Sequence, residues 1–195
     1  MTLTRDFSAD ASSEALLEHL DRDLLDAWAV KDSFDCLDLS SSGFKPLFSA
    51  TWLCYPPQQF RDSDAASDLH WHRIQSSSDL QNWRSAWNAG AQDDENSPIV
   101  PALLARRDID ILAGSYDGQL QAGCILNRSA DVVGLSNIFR SEAAPDDWLA
   151  SCMAAISRLH PGLPIVGYDS GDMLQAMLGN GFQEIGSLRV WLRSP

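Results

Sequence analysis

Lysine is almost missing from this chain. Lys31 and Lys45 are the only two in 195 residues, and 27 Asp and Glu outnumber 14 Lys and Arg, a formal net charge of −13. A surface this acidic repels phosphate backbones, which argues against nucleic acid as a partner. It welcomes cationic or amine-bearing ligands, and it also keeps a protein dispersed. Long hydrophobic runs are missing too. No apolar stretch approaches the ~20 residues that span a bilayer, so no membrane partner is expected. The opening "MTLTRDFSADASSEALLEH" carries acids where a signal peptide needs an apolar core, so no export signal is expected. Cys36, Cys54, Cys124 and Cys152 are scattered without a C-x-x-C pair. That spacing speaks against a zinc site or a disulfide framework, and it fits a reducing cytoplasm.

What is present is globular. Hydrophobic residues make up 45% of the chain, enough for one domain with a full core. The acid is uneven. Residues 1–68 hold 13 Asp and Glu against 5 Lys and Arg, a net of −8, and residues 69–195 hold 14 against 9, a net of −5. The change falls in the polar stretch "QQFRDSDAASD", which reads as a linker. We therefore expect residues 1–68 to be a helix-strand arm packed on a core domain of residues 69–195.

In the arm, Leu16, Leu17, Leu20, Leu24, Leu25 and Trp28 recur at helical spacing behind Ser12 or Ser13. "DSFDCLDL" alternates like a strand, and Leu47 to Tyr55 reads as a second strand closed by Pro56-Pro57. In the core, "DLHWHRIQ" reads as a strand. "SSSDLQNWRSAWNAG" reads as a serine-capped helix with Leu80, Trp83 and Trp87 on one face and Gly90 as its stop. "IVPALLARR" is a short helix or irregular segment. Asp117-Gly118 is a hairpin signal within a three-strand meander over 109–116, 119–127 and 131–139. Pro145, Asp146 and Asp147 suit a helix first turn, with a stop at His160-Pro161-Gly162. "LPIVGYD" is a short buried strand of the parallel type, followed by a helix and the terminal strand "FQEIGSLRVWL". A helix between strands ending near 139 and starting near 163 implies a right-handed crossover and a parallel pair. The terminal strand is expected to be captured by that parallel strand. The fold class is mixed α/β, with a mostly antiparallel sheet.

This order of elements resembles the GNAT-type N-acetyltransferase superfamily. The resemblance covers roughly residues 69–195. It rests on "DGQLQAGCILNRSADVVGLSNIF", "RSEAAPDDWLASCMAAI", "LPIVGYDSGDMLQAMLGNGF" with its Gly-Phe helix end, and "QEIGSLRVWL". It implies a splayed pair of parallel strands with acetyl-CoA, or another acyl-CoA, as co-substrate. The backbone of Asn137, Ile138 and Phe139 would pair with the pantetheine, and Arg140, Ser141 and Ser170 would lie on the cofactor. Unpaired buried backbone groups are costly unless a ligand satisfies them, which is why such a gap takes something of amide character. The resemblance also implies a primary amine of a small molecule or peptide as acceptor, attacking the thioester directly. The sequence departs from the family where the phosphates belong. "RSEAAPDD" has no glycine, and Glu142, Asp146 and Asp147 surround the single cation Arg140. Counting back from Phe182, Met177 stands where the family often has a tyrosine acid, and Ser170 where it often has asparagine. A catalytically inactive fold used as a binding or regulatory module is the alternative.

Tyr168 and Asp169 end the strand "PIVGYD", at the edge where open α/β sheets bind ligands. Tyr168 could protonate the leaving thiolate, and Asp169 could accept the amine's proton. Asp169 also reads as a helix cap. Cys124 and Cys152 read as small buried hydrophobes rather than nucleophiles. His70 and His72 share one face of a strand but lack a third ligand, so no metal is expected. Trp83 and Trp87 read as a core stripe before a pocket lining. Oligomeric state stays open, a homodimer among the options.

Overall fold

The computed structural model of the chain describes residues 28–57, 68–88 and 97–193. The helix expected over Leu16, Leu20 and Leu24, and the Gly90 stop, lie outside the described residues. Two compact units interleave in sequence. One comprises Met1–Leu53, Tyr168–Gln175 and Glu184–Pro195, and the other Cys54–Gly167 and Ala176–Gln183.

The second unit is built on the meander. Strands β3 (His70–Arg73), β4 (Ile109–Tyr116), β5 (Gln119–Ser129) and β6 (Val132–Arg140) pair antiparallel in that order. Asp117 and Gly118 both adopt positive φ, 48° and 74°, as the hairpin signal between β4 and β5 requires. β6 then pairs parallel with β7 (Ile165–Asp169), Val133 opposite Ile165 and Gly134 opposite Val166. Helix α1 (Ser77–Trp87) starts where the sequence places it, with Ser76 Oγ accepting from the Asp79 N–H at 3.1 Å. Its buried face, Leu80 and Trp83, packs with Ile74, Ile99, Ile111, Ala113 and Ile125. Pro101–Ala105 is a single 3-10 turn.

Helix α2 (Trp148–Leu159) crosses between β6 and β7. It begins at Trp148, whose N–H donates to Pro145 O at 3.0 Å, so Asp146 and Asp147 precede the helix rather than fill its first turn. Helix α3 (Gly171–Gly179) ends as the Gly-Phe signature suggests. Gly181 takes φ 94°, and the Phe182 N–H returns to Met177 O at 3.2 Å.

The first unit corrects three expectations. Trp28 belongs to strand β1 (Trp28–Asp32), not to a helix face. "DSFDCLDL" is not a strand. The Asp32 carboxylate accepts from the Phe34, Cys36 and Leu37 backbone N–H groups, at 3.2, 2.7 and 2.7 Å, and rolls the segment into a turn. A short Asx acceptor outcompetes the ladder for those donors. Strand β2 (Lys45–Tyr55) forms as expected. The terminal strand β8 (Gln183–Arg193) pairs antiparallel with β1, from Trp28 opposite Arg193 to Asp32 opposite Arg189. Its other neighbour is β2, so two N-terminal strands hold it and not the parallel strand β7. Val30, Leu37, Leu39, Phe44 and Trp191 form one core of this unit. Ala50, Leu188 and Val190 form another.

Among the described residues the architecture is a mixed α/β fold of eight strands, mostly antiparallel with the parallel pair β6–β7, and three α-helices.

Candidate active site

The residues singled out in sequence fall into two sets. Asn137, Ile138, Phe139, Arg140 and Ser141 lie on β6 and just beyond it, in the second unit. Tyr168, Asp169 and Ser170 belong to the first.

The β6 set is distinguished by its backbone. Gly123 stands opposite Phe139, and Ile125 opposite Ser136, so one residue of β5 faces both Asn137 and Ile138. This is a bulge, and Asn137 carries it at φ 50°. A side-chain-bearing residue in the left-handed region costs about 1 kcal/mol or more, and such strain collects at functional sites. A bulge leaves its extra residue outside the regular ladder. The parallel ladder with β7 stops at Gly134–Val166. Gly167 still lies close, since a Cβ there would meet Leu135 O at 3.1 Å. The bulge is braced from behind. Phe139 meets the Trp83 ring edge-on at 5.1 Å, and Trp83 donates through Nε1 to Leu112 O at 2.8 Å. Trp83 is fully buried in the core, and Trp87 stacks on it, partly buried against the same cluster. Arg140 is exposed and sits opposite Ala122. The Ser141 N–H donates to Gln121 O at 2.7 Å, and its hydroxyl to Gln121 Oε1. Glu142, Asp146 and Asp147 are exposed.

The second set centres on Tyr168. Its ring lies edge-on to Trp52 of β2, centroids 5.2 Å apart. Lys31 of β1 places its ammonium 3.8 Å above the Tyr168 ring and 4.5 Å from the Trp52 centroid. Trp52 is fixed by donating through Nε1 to Ser33 O at 3.0 Å. Burial pushes the Lys31 amine below its ordinary value. The Asp169 carboxyl is pushed up by burial, opposed by the Ser170 N–H it accepts at 2.9 Å. That contact reaches only the next residue and not a second or third helical N–H, so it is not the N-cap bond of the helix that begins at Gly171. Ser170 is exposed, and its carbonyl accepts from Leu174 N at 3.4 Å. Lys31 and Trp52 escaped the sequence reading as site residues, although the scarcity of lysine marked Lys31.

The remaining candidates lie outside both sets. Met177 is buried and offers no proton. Cys124 and Cys152 are buried with sulfurs 3.8 Å apart, and burial pushes the Cys152 thiol well up, which leaves it unreactive. His70 and His72 are exposed, and among the described residues no group of three His, Cys, Asp or Glu could hold a metal ion. Among the same residues no helix is long and apolar enough to cross a membrane.

No protein-family model matches the sequence, and no curated protein matches it either. Solved structures do match. A putative acetyltransferase of the GNAT family from Novosphingobium aromaticivorans superposes with a TM-score of 0.56 at 13% identity, over 95% of this chain and 82% of that one. The fold is that of the GCN5-related N-acetyltransferases. Such an acetyltransferase from Kribbella flavida gives 0.52 at 16% identity, over 80% of this chain and 62% of its own. A functionally unknown conserved protein from Staphylococcus epidermidis gives 0.58 at 13%, over 80% and 65%. The chain therefore spans under two thirds of the length of these last two. At such identities the likeness to the acetyltransferases is one of fold.

Proposed function

We propose that the chain is an acetyl-CoA-dependent N-acetyltransferase acting on a primary amine of a small molecule or peptide. The observation that carries this reading is the β6 bulge. A bulge leaves its extra residue outside the ladder, and at Asn137 that supports a strand able to pair with a chain of amide character. The fit is uneven. The backbone of Asn137 to Phe139 suits a pantetheine, whereas the exposed Glu142, Asp146 and Asp147 do not suit a pyrophosphate.

When bound, the thioester supplies an activated acyl group, so no protein nucleophile is required. A C–N bond forms, a C–S bond breaks, and the amine's proton must leave while the thiolate gains one. Tyr168 is the donor on this reading. Asp169 is the acceptor, its affinity for a proton increased by burial. Lys31, close over the Tyr168 ring, favours the negative charge that the phenol acquires on donating. Replacing Tyr168 by Phe is expected to lower kcat by about 10² to 10⁴.

The acidic segment before α2 favours a second reading, a fold kept for binding or regulation without catalysis. A titration decides. At about 100 times Kd a ligand stabilises the native state by roughly 2.7 kcal/mol. Each kcal/mol is worth about 2–4 °C at this size. Saturating acetyl-CoA is thus expected to raise Tm by about 5–10 °C. Converting Glu142, Asp146 and Asp147 to Gln and Asn should enlarge the shift at a fixed subsaturating concentration. No shift at millimolar acetyl-CoA in either protein rejects the enzyme.

A further inference from the structure

Strand β3 ends the strand order of the second unit, and among the described residues no strand pairs with its outer edge. A cavity of about 610 Å³ runs along this strand. Its other wall is the face of α2 that bears Ser151, Ala155, Arg158 and Leu159. The wall is preformed. Trp71 of β3 donates through Nε1 to Ser151 Oγ at 2.6 Å. Its ring lies flat against Gly114, where a Cβ would come within 3.0 Å.

The charge of this groove is opposite to that of the chain. Among its described lining residues none is a carboxylate, although the sequence holds 27 Asp and Glu. Arg73, Arg158, His70 and His72 line it instead. Arg73 is matched by the buried Asp110, which His160 Nε2 also meets at 2.9 Å. Arg158 is exposed and has no ion-pair partner among the described residues.

We propose that this groove binds an extended acidic peptide segment, which adds a strand to the open edge of β3 and sets an Asp or Glu against Arg158. An open edge offers a row of N–H and C=O groups to such a segment, and the side pockets supply selectivity. A second copy of this chain fits poorly. Two β3 strands side by side would bring His70, His72 and Arg73 against their own kind, which disfavours pairing. This site is separate from the proposed acyl-transfer residues, so its test does not depend on them.

The probe is a fluorescein-labelled, capped hexapeptide of alternating aspartate and valine, read by anisotropy on the full chain. Saturable binding is expected, and no binding by the lysine-valine counterpart. Arg158→Glu should weaken the affinity by about tenfold or more, the loss of one charge-assisted contact, with an unchanged melting curve. Two further peptides carry N-methyl groups on one or the other set of alternate amides, and one of the two should fail to bind. The proposal is overturned by no binding, or by equal affinity of wild type and Arg158→Glu. It is equally overturned if both methylated peptides bind as well as the parent, since contact would then be ionic without strand addition.

Discussion

Lys31 holds its ammonium nitrogen 3.8 Å above the ring of Tyr168. Burial lowers its pKa, so the folded state binds fewer protons than the unfolded state between that lowered value and the ordinary lysine range near about 10.4. Stability should therefore rise with pH across this window. The lysine's burial penalty is present below it and is relieved above. Lys31→Met is expected to remove this rise. Urea denaturation of both proteins from neutral to alkaline pH measures it, and parallel curves would assign the pH dependence to other groups.

The β6 bulge depends on two residues of opposite kind. A Cβ at Gly123 would lie 2.4 Å from Trp83 Nε1 and 2.6 Å from Phe139 Cε1. Gly123→Ala is expected to cost about 1–3 kcal/mol in chemical denaturation, because a packed tryptophan has nowhere to retreat. Asn137 presents the reverse case. At φ 50° glycine fits without strain, so Asn137→Gly should leave stability within about 1 kcal/mol of wild type. Asn137→Val should lose about 1–3 kcal/mol.

Buried Asp110 is the acidic centre of a cluster with Arg73 and His160. Asp110→Ala strands both partners. Since Arg73 is about half exposed, at 48%, the expected loss is about 1–3 kcal/mol rather than the full cost of a buried unpaired charge. Asp110→Asn, which keeps one acceptor, should lose less. Equal stability of all three proteins would show the cluster to be energetically idle.

Removing residues 1–68 takes away β1 and β2, the two neighbours of β8. That strips Ala50 and Trp52 from the cluster of Leu188 and Val190, and Val30, Leu37, Leu39 and Phe44 from Trp191. The truncated protein is expected to aggregate or to melt far below the full chain. A soluble product with an unchanged melting temperature would contradict this.

Local signals were readable wherever a residue fixes its own conformation. Ser76 as a cap, Asp117-Gly118 as a hairpin turn and Gly181-Phe182 as a helix end each act within four residues, so the sequence determined the elements between them. The period of two and the apolar run of "PIVGYD" likewise determined the meander and the parallel strand after it. The turn at Asp32 was not legible, because an alternating pattern looks the same whether the backbone pairs with a strand or with one carboxylate. Tertiary structure alone decided which strands hold β8, since β1 and β2 lie more than 120 residues away and no local signal encodes that pairing. It alone placed Lys31 against Tyr168. A lysine is scarce or common in a sequence, but whether its ammonium meets water or an aromatic face depends on which strands come together, and that is settled by the burial of their side chains as a set.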